Sequence, residues 1–86
     1  MRFSEHYREY RSELPDRERI TLPMCEQSVA DAIRSEVQKD GRTAYWSYVA
    51  GEDRYLKVVV ESDGEVIVTA YFDRGFKRRF ERRSGA

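Results

Sequence analysis

The sequence predicts an α+β domain in which N-terminal helices pack on a curled antiparallel sheet of three to four strands. The first half of the 86-residue chain carries apolar residues at helical spacing, and the second half carries β-branched and aromatic runs. Asp63-Gly64, between two Val-rich runs, is a β-hairpin turn signal. A chain of this length supports one hydrophobic core, so we expect a single domain over residues 1–76 and a basic tail over residues 77–86.

Two helices are predicted from apolar residues on one face. The first has spacings of four, three and four, with Ser4 as its N-cap. Its apolar residues are Phe3, Tyr7, Tyr10 and Leu14. The second is predicted from Pro23 to Lys39, with Gly41 ending it. Residues 19–22 alternate apolar and polar side chains, which leaves a further strand open there.

Three strands are predicted over residues 43–49, 54–61 and 66–72, because each segment is rich in β-branched and aromatic residues. Side chains alternate across a strand, so the last strand divides into two faces. We expect the face toward the helices to hold Val66, Val68, Ala70 and Phe72. The opposite face should hold Ile67, Thr69 and Tyr71, beside Lys57 of the middle strand.

Composition excludes several kinds of site. One cysteine and one histidine exclude a disulfide framework and a Cys- or His-based metal site, so we expect no metal and no cofactor. No run of 18 apolar residues and no apolar signal core is present, which favours a cytoplasmic protein without membrane association. Formal net charge is zero, yet the segment from Asp73 onward has six Lys or Arg against two acids. This basic end is suited to anionic partners.

Candidate functional residues fall into three groups. His6 is the natural general acid or base, although a lone histidine is also common on a helix surface. Lys57, Thr69 and Tyr71 together suit a phosphate, although the same residues suit a solvated sheet face. Further cations suit a phosphate backbone, unless Phe76 and Phe80 pin a terminal helix to the body and leave the cations in water. These cations are Arg74, Lys77, Arg78 and Arg79 of the basic end, while Arg54 of the middle strand is a separate candidate that could converge with the first two groups.

The order of these features resembles the barnase–EndoU–colicin–RelE-like (BECR) nuclease superfamily, in particular its small phage- and mobile-element-associated members. The matching pieces span roughly residues 6–77. They are His6, Thr21-Leu22-Pro23, Arg54-Tyr55-Leu56-Lys57-Val58-Val59-Val60 and Ile67-Val68-Thr69-Ala70-Tyr71. The resemblance implies a RelE/barnase-like fold. It also implies metal-independent RNA cleavage, in which the ribose 2′-OH attacks the adjacent phosphate.

Carried over to the matching positions, His6 acts as base or acid, Thr69 and Tyr71 contact the scissile phosphate, and Lys57 or Arg54 neutralises it. The leading hypothesis is therefore a toxin-like endoribonuclease with RNA as substrate and a small acidic antitoxin as partner. The alternative is a non-catalytic nucleic-acid- or protein-binding module of the same fold. A third hypothesis is a homodimer through an exposed sheet edge.

Overall fold

The computed structural model describes residues 1–14 and 16–83, and its centre is a five-stranded mixed sheet in the order β1-β5-β4-β3-β2. The strands are β1 Arg2–Phe3, β2 Arg34–Val37, β3 Thr43–Val49, β4 Arg54–Val60 and β5 Val66–Phe72. β1 pairs parallel with β5, and the other neighbours pair antiparallel. The α+β class is confirmed, but the sheet has more strands than predicted and one pairing is parallel.

Helices cover both faces of this sheet. On one face, α1 Glu5–Tyr10 and α2 Leu22–Ala30 pack against β3, β4 and β5, while two 3-10 turns, Arg11–Glu13 and Arg17–Arg19, join the two helices. On the other face, α3 Arg74–Arg83 packs against β3 and β4. The predicted tail over residues 77–86 therefore begins inside a helix, and residues 84–86 lie outside the described residues.

The helix starts follow the sequence signals. The Ser4 hydroxyl accepts a hydrogen bond from the Tyr7 N–H at 3.0 Å, and the Thr21 hydroxyl caps α2 in the same way through the Met24 N–H. The strand considered for residues 19–22 is wrong, because a 3-10 turn ends at Arg19 and α2 begins at Leu22. Ile20 between them is buried in the core.

The predicted second helix is too long. It ends at Ala30, and Arg34–Val37 form the edge strand β2 instead of further helical turns. Gly41, with φ of +90°, lies in the turn between β2 and β3 and ends no helix. Ile33 and Val37 are four apart and mimic a helical stripe, but pairing with β3 extends this segment.

The main core lies between the sheet and the α1–α2 layer. Its fully buried residues include Tyr7, Leu56, Val58, Ile67 and Ala70. The Tyr7 hydroxyl donates to the Ala70 carbonyl at 2.8 Å inside this core. Burial raises the pKa of Tyr7, so the phenol stays protonated and keeps its role as donor.

The predicted faces of the last strand are only partly right. A β-bulge between Val59 and Val60 shifts the pairing with β5, so that Val60 lies opposite Ile67. Ile67 therefore joins the main core, and Val68 packs on the α3 side. Ala70 and Phe72 face the helices as predicted, while Thr69 and Tyr71 do not enter that core.

Candidate functional site

A row of alternating cations and aromatic rings crosses four strands on the face that α3 covers. The strand register places Arg34 opposite Trp46, Trp46 opposite Lys57, and Lys57 opposite Tyr71. One side chain from each of β2, β3, β4 and β5 thus meets in a line. We call Arg34, Trp46, Lys57 and Tyr71 the transverse row.

Lys57 lies at the centre of this row. Its Nζ is 5.2 Å from the centroid of the Trp46 ring and 5.6 Å from that of Tyr71, both within cation–π range. Thr69 is two residues before Tyr71 on the same strand and lies opposite Val59, in the next row. The structure therefore brings Lys57, Thr69 and Tyr71 together on one face, as predicted.

Helix α3 stands beside the transverse row on an aromatic base. The Phe76 ring stacks on Trp46 with centroids 5.1 Å apart, meets Tyr55 edge-on at 5.1 Å, and stacks on Phe80 at 5.4 Å. Phe76 is only 3% exposed. The sequence left open whether Phe76 and Phe80 pin a terminal helix to the body, and in the structure they do.

Asp73 fixes the start of α3, and sequence reasoning missed it. Its Oδ1 accepts from the Phe76 N–H at 3.1 Å, and its Oδ2 accepts from the Trp46 indole Nε1–H at 3.0 Å. The Arg79 guanidinium approaches the same Oδ2 at 3.6 Å. An aspartate directly before a helix is a capping signal that the sequence does contain.

A crevice of about 140 Å³ separates α3 from the edge strand β2. Arg34 and Arg79 bring positive charge to its walls, Glu36 brings one carboxylate, and Trp46 and the two α3 phenylalanines provide the apolar surface. Arg79, a predicted substrate-binding residue, therefore borders the transverse row.

The outer side of α3 carries three exposed cations, although Arg74 and Lys77 border a crevice with Asp53 and Asp73, and Arg74 also interacts electrostatically with Asp16. Among the side chains that the structure describes, those of residues 1–14, 16 and 18–80, none forms a salt bridge with Arg74, Lys77 or Arg78. The two aromatic anchors, four residues apart, face the sheet, so these three residues point outward. The three predicted phosphate-binding residues thus present their charges to solvent.

Arg54 lies beside Arg74 and Lys77 at one crevice, but its guanidinium already has acidic partners. Its guanidinium lies over the Phe72 ring at 3.9 Å, on the α1–α2 side, and pairs with Asp16 at 2.8 Å and Glu52 at 2.7 Å. Hydrogen bonds from Arg54 hold the pKa of both carboxyl groups below their ordinary values. Arg54 therefore ties the segment after residue 15 to the β3–β4 turn.

His6 is also separate from the transverse row. It is exposed on α1, and its ring stacks on Tyr10 with centroids 5.9 Å apart. Its neighbour Tyr7 enters the core on the face opposite Lys57. In the described part of the chain, no hydrogen bond or ring contact joins His6 to Lys57, Thr69 or Tyr71. The predicted convergence of these four residues is not observed.

Cys25 on α2 is fully buried in the main core, and burial raises its pKa to about 12. The thiol is therefore a packing group. Among the helices within residues 1–14 and 16–83, none has both the length and the apolar character needed to cross a bilayer.

No protein-family model, no curated protein and no solved structure matches this chain.

Proposed function

We propose that this protein binds RNA in the cytoplasm through a cationic surface on the α3 side of the sheet. The surface consists of Lys57 on β4 and of Arg74, Lys77 and Arg78 on α3, and we call it the α3 surface. RNA is the polymer that the BECR resemblance implies. An acidic antitoxin-like protein would compete for the same charges.

The observation that carries the proposal is the difference between two sets of basic side chains. Elsewhere in the described chain, Arg19, Arg42 and Arg54 each meet a carboxylate within 3.0 Å. The cations of the α3 surface have no carboxylate at that distance among the described side chains of residues 1–14, 16 and 18–80. Phosphates can therefore approach these four cations without first displacing an internal ion pair.

Aromatic rings next to the cations support binding to a single strand. Tyr71 is 39% exposed and lies against Lys57, so a base can stack on its free side while the ammonium meets the adjacent phosphate. Trp46 is 6% exposed beneath Phe76, and its role is to support this surface. A mixed site of this kind binds with little sequence preference, because every base has a π-face.

Salt dependence gives a quantitative test. If four phosphates are neutralised, the logarithm of the affinity for a single strand falls with the logarithm of salt concentration with a slope of about −2.8. Affinity should then fall about 50-fold between 50 and 200 mM salt. Fluorescence anisotropy with a labelled single-stranded RNA measures this slope, and matching DNA and double-stranded RNA arms identify the preferred polymer. An affinity that does not change with salt would refute the proposal.

Two lysines provide a matched pair of variants. Lys77 and Lys39 are both exposed and make no salt bridge among the described side chains, but Lys39 lies in the β2–β3 turn, at the end of the sheet opposite the β3–β4 turn beside which α3 begins. Lys77→Ala should weaken binding and reduce the magnitude of the salt slope by about 0.7, whereas Lys39→Ala should change neither. Equal effects of the two variants would indicate attraction by overall charge alone.

Ribonuclease activity is the second candidate, and the contact between Lys57 and Tyr71 favours it. An ammonium and a phenol on adjacent strands can stabilise a phosphorane-like transition state and hold a proton near it. Incubation of the protein with mixed RNA in EDTA tests this, with Lys57→Ala, Tyr71→Phe and His6→Ala as variants. If cleavage occurs on the transverse row, the first two variants lose it and His6→Ala keeps it. If only His6→Ala loses cleavage, the chemistry lies on α1 instead. If the wild-type protein leaves RNA intact, binding remains the proposed function.

A further inference from the structure

The two outer edges of the sheet differ in how far other segments of the chain cover them. At the β5 edge, β1 pairs with the first two residues, and Ser4 and Tyr7 donate to the next carbonyls. The acceptors are Val68, at 3.4 Å, and Ala70, at 2.8 Å. At the β2 edge, all four residues are exposed and Val37 is 73% exposed. The β2 edge is therefore open, while the β5 edge is covered.

The hydrogen-bond pattern of β2 shows which of its backbone groups face outward. The Gln38 N–H donates to the Arg42 carbonyl at 2.7 Å, and facing residues in an antiparallel ladder alternate between bonded and non-bonded pairs. Glu36 is therefore bonded to Ala44, and the N–H and C=O groups of Ser35 and Val37 point away from β3. These groups are available to a further strand.

We propose that β2 pairs antiparallel with β2 of a second copy of this chain, about a two-fold axis that passes beside Ser35. In this register Ser35 faces Ser35 of the second copy, and their outward backbone groups bond to each other. The result is a continuous ten-stranded sheet.

The side chains of β2 complement each other in this register on both faces. On the α3 side, Arg34 lies opposite Glu36 of the second copy, and the symmetry repeats the pair. Within one chain, Arg34 and Glu36 form only a loose ion pair, with the guanidinium 3.9 Å from the carboxylate. On the α2 side, Ile33, which precedes β2 and is 45% exposed, comes near the exposed Val37. Its N–H already donates to the Trp46 carbonyl at 2.8 Å, so Ile33 adds an apolar contact and no N–H bond to the second copy. If the two-fold axis passed beside Glu36 instead, the Glu36 carboxylates of the two copies would lie opposite each other and repel. Charge therefore selects the register centred on Ser35.

This dimer changes the shape of the α3 surface. A two-fold axis normal to the sheet places both α3 helices on the same face, with the two crevices beside β2 facing each other across the new pairing. A strand of RNA would then meet two α3 surfaces in succession. This consequence rests on the proposed function, whereas the dimer itself does not.

A proline tests the pairing directly. The Ser35 N–H points away from β3, so Ser35→Pro removes a bond to the second copy while the native ladder stays intact. Because β2 has only four residues, we expect the interface to be smaller than the standard size of about 1,600 Å² and the dissociation constant to be on the order of 0.1 mM. In sedimentation equilibrium, Ser35→Pro should raise that constant roughly tenfold or more, and Ser35→Ala, which keeps the N–H, should leave it unchanged. Circular dichroism verifies that both variants fold.

A charge exchange tests the register. Glu36→Arg places two arginine pairs at the interface and should weaken the dimer, and adding Arg34→Glu should restore it. A monomer at every concentration up to about 1 mM, or a dimer that survives Ser35→Pro, would overturn the proposal. Because these measurements contain no RNA, a failure of the dimer is distinguishable from a failure of RNA binding.

Discussion

Replacing Asp73 with alanine should release α3 from the sheet, because one carboxylate makes three contacts there. It caps the helix through the Phe76 N–H, accepts the Trp46 indole N–H, and attracts Arg79. These contacts link β3 to the start of α3, so the substitution tests how the α3 surface is positioned.

The three contacts differ in size. Loss of the helix cap costs about 1 kcal/mol. The indole N–H of Trp46, which is 6% exposed, loses its partner, at about 1–2 kcal/mol. Arg79 is 61% exposed and 3.6 Å away, so its contribution is about 0.3 kcal/mol or less. We therefore expect the free energy of unfolding to fall by about 2–3 kcal/mol, since the contacts share one carboxylate and do not add fully.

Urea denaturation followed by fluorescence measures this loss. Trp46 is the only tryptophan, so its emission reports directly on the packing between α3 and the sheet. With an m-value of about 1 kcal/mol/M, the midpoint should fall by about 2–3 M. Emission in the absence of urea should also shift to longer wavelength if α3 detaches before the rest unfolds.

Asp73→Asn is the matched control. Its amide oxygen can still cap the helix, while its NH₂ group cannot accept from the indole, so about half of the loss should remain. A loss below about 0.5 kcal/mol in Asp73→Ala, or equal losses in the two variants, would refute this account of α3 docking.

Three further predictions concern the rest of the molecule. Tyr7→Phe leaves the Ala70 carbonyl without its donor and should cost about 1–2 kcal/mol in urea unfolding; a loss near zero would contradict this. Cys25, whose pKa is raised to about 12, should react with a thiol reagent at pH 8 only after unfolding, so rapid native labelling would count against its burial. Arg54 lowers the pKa of Asp16 and Glu52, so their stabilising charge is present above about pH 4 and is lost as pH falls through the lowered values. Arg54→Gln should raise the titration midpoints of Asp16 and Glu52 measured by NMR. The rise should be larger for Asp16, because Glu52 keeps its ion pair with Arg19. Unchanged midpoints would exclude the Arg54 ion pairs in solution.

Local signals were sufficient where the chain's own chemistry decides the conformation. β3 and β5 have the predicted bounds, and the turn between β4 and β5 holds Gly64 at φ of +76°, where a side chain would be strained. The cap at Ser4 was also readable, because a cap lies within three residues of the group that it satisfies.

Sequence signals failed where pairing with a distant segment decides the local conformation. Arg34–Val37 is a strand because β3 pairs with it, and the helical spacing of Ile33 and Val37 contains no information about that pairing. The parallel strand β1 and the bulge at Val59 have the same origin, since each depends on residues far along the chain.

The sequence by itself determined the class of the domain, its central strands and the unequal distribution of its charge, because these depend on residue type and spacing. Only the tertiary structure decided which charges are available. Arg54 and Lys57 are three residues apart and both basic, yet one is held by two carboxylates and the other lies between two aromatic rings. The physical reason is that a strand alternates its side chains between faces, and each face meets a different part of the chain.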